Sequence, residues 1–353
     1  MNTQPLTRFI DLAHHGGCSK KAPATDLHQL FGKLSIQKLG QPISDIASGF
    51  PDVGIFSLDK VSAVSTVDIV LPMVLSASDF GEITVAHVLS DIYAGIAKPS
   101  FALAILGVPK GRTSGDDEIV DLMSAAIRKL SSAGVALVGG HTMSEQEDLF
   151  LGFAAVGTPL SNRDLSHNRA LSVGDALVLT KPLGGSLASL RWKMNAADES
   201  SHHDVLNSMK MLNSAAAEIA SAFDIRGCTD ITGYGLTGHL RNMLISAGCS
   251  ATLDTAAIPI FNSVSGLDET EVVQTRQYWH NLDYVSNFLI GSAQLSELQR
   301  TCFVDSQVSG GLLLAVADAA STDFVKKCRD SDVDAHVIGR VTRTVDPGTI
   351  TFV

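Results

Sequence analysis

Cysteine is sparse, with five residues (Cys18, Cys228, Cys249, Cys302 and Cys328) in a chain of 353. The number is odd and no two stand at C-x-x-C spacing, which argues against both a disulfide framework and a structural zinc site. Basic charge is also short. Lys and Arg total 26 against 37 Asp and Glu, a formal net charge of −11. Neither a nucleic acid nor an anionic membrane surface is therefore expected as a partner, because both select clustered cations. Long apolar runs are missing too: Phe101 to Val108 and Leu312 to Val316 fall well short of the ~20 residues that span a bilayer, and no signal-peptide core lies near the N-terminus. A cytoplasmic location is the resulting expectation. The sequence has no G-x-x-x-x-G-K-[ST], no H-E-x-x-H and none of the protein-kinase set, so any nucleotide chemistry must use another scaffold. What is present is 45% hydrophobic and 18% charged residues, a composition that buries a sizeable core over a length favouring two domains.

Residues 1–47 lack a clean period and read as a mobile lead-in with one short helix near Asp26 to Leu34 and the cluster His14-His15-Gly16-Gly17-Cys18-Ser19-Lys20-Lys21. From Val53 to Leu71 alternation predicts two strands around Leu58-Asp59-Lys60, the second ending near Asp68. Val85, Val88, Leu89, Ile92 and Ile96 recur at 3 and 4 spacing, so 82–97 reads as a helix with an apolar stripe, and His87 and Asp91 share another of its faces. Phe101 to Val108 reads as a buried strand. Ser114 and Asp117 open a helix that Gly134 stops. Short strands follow at Val135 to Val138, running into Gly139-Gly140-His141-Thr142, and at Leu149 to Val156. The polar stretch Ser161 to Asn168 marks the boundary between a first unit, 48–160, and a second, 161–353. In the second, Ala176 to Thr180 is a strand closed by Lys181-Pro182-Leu183-Gly184-Gly185. Val205 to Phe223 is a helical pattern with little interruption, Leu236 to Leu244 a helix, and Ala251 to Asp254 and Leu312 to Val316 are strands. Without a strict βαβ rhythm, the expected class is α+β.

Gly233-x-Gly235-x-x-Gly238, with Asp254 further on, formally matches a dinucleotide fingerprint. The polar Arg226-Gly227-Cys228-Thr229-Asp230 before it does not resemble a buried Rossmann strand, and Asp230 would face the pyrophosphate unless a cation intervened. Single aspartates (Asp52, Asp68, Asp91, Asp230) also stand at the ends of predicted elements. Each alone reads as a cap or turn residue, but converging in one pocket they would repel by about 4 kcal/mol per pair at 4 Å and require divalent cations such as Mg²⁺.

Seven blocks carry a resemblance. They are Thr66-x-Asp68, Ser90-Asp91-Ile92-Tyr93-Ala94 with Lys98-Pro99, Ala104-Ile105-Leu106-Gly107, Gly139-Gly140-His141-Thr142, Lys181-Pro182-Leu183-Gly184, the run Thr229 to Leu240, and Asp305 to Leu313. In order and over nearly the full length, they resemble the selenophosphate synthetases (selenide, water dikinases). The resemblance implies the two-domain α+β fold of the aminoimidazole ribonucleotide synthetase superfamily and a homodimer built through the N-terminal sheets. It implies ATP, selenide and water as substrates, with selenophosphate, AMP and orthophosphate as products. Mg²⁺ is the implied cofactor, and a K⁺ requirement is left open. By position, Asp52, Asp91 and Asp230 would hold Mg²⁺, with Asp68 and Asp91 in the ATP site. Gly139, Gly140 and His141 would touch the nucleotide, and Gly49, Phe50 and Pro51 would form a further nucleotide-contacting loop. Cys18 and Lys21 match the catalytic pair, Lys21 also facing the phosphates, where positioning and electrostatics carry most of phosphoryl transfer.

Several positions depart from the family pattern. Gly17-Cys18-Ser19-Lys20-Lys21 replaces a glycine-richer loop, Pro51-Asp52 replaces an acidic pair, and His87 stands where asparagine is usual, able to compete for or reposition the metal. The segment Gln274-Thr275-Arg276 only partly echoes its counterpart. The chain reads as a divergent member, whose rival readings are a drifted ATP-binding paralogue acting through a partner protein and another ATP-dependent reaction of the superfamily.

Overall fold

The computed structural model describes residues 8–14, 16, 26, 52–58, 61–161, 171–343 and 346–353. Apart from Asp26, the helix expected near Asp26 to Leu34 lies outside these residues, as do the turn at Asp59-Lys60 and most of the Ser161 to Asn168 stretch.

Two sheets organise the chain. The first contains β1 (Gly54–Leu58), β2 (Val61–Val70), β3 (Ala97–Pro109), β4 (Ala136–Gln146) and β5 (Phe150–Pro159) in the order β1-β2-β5-β3-β4. Only β3 and β4 run parallel, and helix α2 (Asp117–Ser132) crosses between them. The second contains β6 (Ala176–Leu179), β7 (Ile225–Asp230), β8 (Ser250–Leu253), β9 (Leu289–Ile290), β10 (Leu312–Val316), β11 (His336–Thr342) and β12 (Ile350–Phe352), ordered β7-β10-β6-β11-β8-β12-β9. Around them run α3 (Gly185–Lys193), α4 (His203–Lys210), α5 (Ser214–Ala220), α6 (Gly235–Ala247), α7 (Asn262–Ser265), α8 (Arg276–Val285), α9 (Glu297–Val304) and α10 (Asp318–Arg329). Helices and mostly antiparallel sheets mix as the α+β class requires.

Helix α1 (Ala77–Ala94) joins the halves. Ser76 caps it by accepting the Asp79 N–H, and its first residue, Ala77, stands five residues before the expected start. Fourteen of its eighteen residues are buried, because one side lies on the first sheet and the other on the second half. A helix buried all round needs no single apolar stripe, so His87 and Ser90 sit inside beside Val88 and Leu89.

Four expectations change. The strand read as buried at Phe101 to Val108 is buried on one face only, with Phe101 37% and Leu103 41% exposed, because nothing among the described residues covers the outer face of the first sheet. The short strand expected at Val135 to Val138 does not end there but runs on through Gly139 to Thr142 as part of β4. Gly140 is required there by packing, since a Cβ would lie 2.4 Å from the Ala104 carbonyl oxygen. The polar stretch before Asp230 is a strand after all, β7, pairing only with β10 at the sheet edge. The pattern from Val205 to Phe223 breaks at Met211, whose carbonyl accepts from Lys181 Nζ instead of continuing the helix.

Candidate functional site

Residues Asp52, Asp230 and His239 converge, their candidate ligand atoms all lying within 4.8 Å of one another. Asp230 ends β7, completely buried, and His239 comes from the first turns of α6. Asp52 arrives from the segment just before β1. Both carboxylates also act on the buried Cys228 thiol, whose pKa is raised first by burial and then by their charges.

The imidazole of His239 holds the loop between β7 and α6. Its Nε2 accepts the backbone N–H groups of Thr232 and Tyr234, each at 3.2 Å. The ring proton of the neutral form therefore sits on Nδ1, which faces Thr229 Oγ1 at 3.4 Å. With both nitrogens engaged, the metal donors of this cluster are the two carboxylates. Their hard oxygens suit Mg²⁺, and within that spacing they repel by about 3.5 kcal/mol or more at an effective dielectric of about 20. The donor set fits a divalent cation.

Asp68 and Asp91 are placed by β2 and α1. Thr66 Oγ1 donates to Asp91 Oδ2 at 2.5 Å, and His87 Nε2 meets Asp68 Oδ2 at 3.0 Å. His87 therefore holds Asp68. Gly139, Gly140 and His141 stand on the exposed edge strand β4. In register, Asp68 faces Phe153, Phe153 faces Ala104 and Ala104 faces Gly140. Three strand spacings separate Asp68 from Gly140, about 14 Å. Cys18, Lys21, Gly49, Phe50 and Pro51 lie outside the described residues.

Three supports carried no assigned role in the sequence reading. Lys181, 3% exposed, donates from Nζ to the carbonyls of Met211 (2.7 Å), Ser309 (3.0 Å) and Ser208 (3.1 Å). Burial pushes its pKa down to about 7, against the pull of Asp230. Gln307 Oε1 accepts the N–H groups of Gly184 and Gly185 at 3.1 Å each, fixing the start of α3. Asp305 accepts from Thr275 N and Oγ1 and from Ser306 N, and burial raises it to about 6. Beside it a cavity of about 270 Å³ opens between Met73, Ser186, Lys193, Thr275 and Arg276. All three residues lay inside quoted blocks. Their roles were hidden because each acts on backbone groups distant in sequence.

The match to known proteins spans both halves. The AIR synthase related protein N-terminal domain matches residues 51–158 and the corresponding C-terminal domain residues 172–350. A selenide, water dikinase of Myxococcus xanthus is 34% identical, covering 96% of each chain. The chain belongs to the selenide, water dikinase family. The Rhizobium meliloti member is 31% identical over 93% of each chain. Among solved structures, thiamine monophosphate kinase from Aquifex aeolicus superposes with a TM-score of 0.66 at 15% identity, covering 92% of this chain and 96% of that one. At that identity the likeness speaks for the fold, with its two α+β domains.

Proposed function

We propose that this chain makes selenophosphate from selenide, water and ATP, releasing AMP and orthophosphate. Membership of the dikinase family over 96% of the chain supports the reading, and the observation that carries it is the convergence of Asp52 and Asp230 from opposite halves of the molecule. That pair is suited to a cation-bound polyphosphate.

In this reading Asp52, Asp91 and Asp230 hold Mg²⁺, which when bound neutralises phosphate charge and orients the transferred groups. Asp68 and Asp91 belong to the ATP site, and Thr66 Oγ1 holds the Asp91 carboxylate. Lys21 supplies positive charge to the phosphoryl group, and Cys18, two and three residues before Lys20 and Lys21, handles the soft selenium nucleophile. Gly49, Phe50 and Pro51, with Gly139, Gly140 and His141, complete the nucleotide contacts.

The proposed organisation is a lead-in catalytic segment (1–47), an ATP-binding and dimerising unit (48–160) and a C-terminal unit (161–353). Val67, Ile69, Phe101 and Leu103 support a homodimer through the first sheets: all four are 37% exposed or more and line its outer face. A partner copy seated there would cover apolar area that a monomer leaves in water. No helix among the described residues is long and apolar enough to cross a membrane, and the proposed setting is the cytoplasm.

The test is ³¹P NMR of the purified protein under anaerobic conditions with Mg-ATP, with and without selenide. Selenide-dependent selenophosphate together with AMP and orthophosphate is expected. ATP binding without AMP under any selenide condition would instead indicate a drifted ATP-binding paralogue, and ADP would indicate another substrate.

A further inference from the structure

His87 bridges the two halves of the molecule. It is 1% exposed on α1, and its Nδ1 accepts the backbone N–H of Ser309 at 3.0 Å. That bond occupies the Nδ1 lone pair, so the neutral ring carries its proton on Nε2 and donates it to Asp68 Oδ2 at 3.0 Å. One ring thus joins a carboxylate on the first sheet to the Ser309-Gly310-Gly311 turn before β10.

The turn itself is held from several sides. Ser309 has a left-handed φ of 52°, and its carbonyl accepts from Lys181 Nζ. Asn213 Nδ2 donates both to the Gly310 carbonyl and to Ser90 Oγ, one turn along α1 from His87. A Cβ on Gly310 would lie 2.0 Å from the Ile231 carbonyl oxygen, so the turn also sits hard against the residue after Asp230. Asp68, His87, Ser309 and Lys181 form one polar chain from sheet to sheet, buried everywhere but at its Asp68 end.

We propose that His87 is a positioning residue: it aims the Asp68 carboxylate by tying it to the Ser309 turn, so that the packing of the two halves sets the ATP site. This rests on the reading of Asp68 as an ATP-site residue. A direct ligand role for His87 is disfavoured by the same geometry, since both ring nitrogens are spent on the link. The usual asparagine offers one acceptor and one donor as well, but on a shorter side chain, so the histidine spans a wider gap with the same pattern.

The test uses the full chain and calorimetric titration with the magnesium complex of a non-hydrolysable ATP analogue. Four variants are compared with the parent: H87L, H87Q, D68N and the double variant H87L/D68N. H87L is expected to weaken binding about tenfold, the loss of a hydrogen bond to a charged group. H87Q, whose amide supplies an acceptor and a donor, should recover most of it, and adding H87L to D68N should cost little more. Tight binding by H87L alongside weak binding by D68N would overturn the positioning role. Tight binding by D68N would overturn the Asp68 reading, and the inference with it. If H87L does not fold, ¹⁵N NMR of the histidine rings in the parent decides instead: a protonated Nε2 and bare Nδ1 for His87 support the link, and the opposite tautomer refutes it.

Discussion

Replacing Lys181 by methionine removes an ammonium that is buried in a cage of three carbonyls. Two effects oppose each other. The fall of its pKa from 10.5 to about 7 means that the charged form costs about 5 kcal/mol in the folded protein, at about 1.4 kcal/mol per pH unit. Against that, the carbonyls of Ser208, Met211 and Ser309 lose their Nζ partner, at about 1–3 kcal/mol for each group left unsatisfied. The pH dependence separates the two. Because the folded pKa lies below the unfolded one, the unfolded chain binds more protons between about pH 7 and pH 10.5, and stability rises with pH across that window. The parent protein should gain about 2 kcal/mol from this group between pH 7 and pH 9, and K181M should gain none of it. The destabilisation caused by K181M is therefore expected to grow by about 2 kcal/mol over that range. Urea denaturation followed by fluorescence measures it, with the buried Trp192 reporting on the second half. The buried thiols of Cys228 and Cys302, raised by burial, titrate alike in both proteins and cancel in the difference. An equal difference at pH 7 and pH 9 would refute the reasoning, since it would mean that the carbonyl cage holds the proton through the whole range.

Two further outcomes follow from the site and the outer sheet face. D230N removes one of two mutually repelling carboxylates, so the ligand-free protein should melt higher while the stabilisation by Mg-ATP seen in the parent shrinks sharply; a thermal-shift series with an undiminished Mg-ATP response would sink the metal assignment. Val67 is 60% exposed, so V67D should leave the monomer fold intact but place a charge in the proposed dimer contact. Sedimentation velocity should then show monomers, and an unchanged dimer mass would remove this face from the interface.

What could be read in the chain and what could not divide along a physical line. Elements with strong local signals were legible. Leu312 to Val316 is an apolar run and is a fully buried strand with the expected bounds. Gly134 ends α2 with a φ of 70°, a conformation glycine takes without a Cβ penalty. Elements whose burial is decided by neighbours were not. Strand β7 carries polar Arg226 because it stands at a sheet edge and buried Thr229 because that side chain meets His239, and α1 starts earlier than its stripe suggests because both of its sides are covered.

The site shows the same division. The family and the α+β class are legible in the chain alone, because blocks such as Thr229 to Leu240 combine glycine turns and acidic residues that local chemistry makes recognisable; the same blocks supply the aspartates that the proposed function uses. Only the tertiary structure decided which groups meet. Asp52 reaches Asp230 across 178 residues of chain, His87 spends both ring nitrogens between Asp68 and Ser309, and Lys181 is enclosed by carbonyls from three separate positions. Hydrogen bonds and charge pairs act over a few ångströms and depend on direction, so partners far apart in sequence are selected by how helices and sheets pack, and no local pattern records that choice.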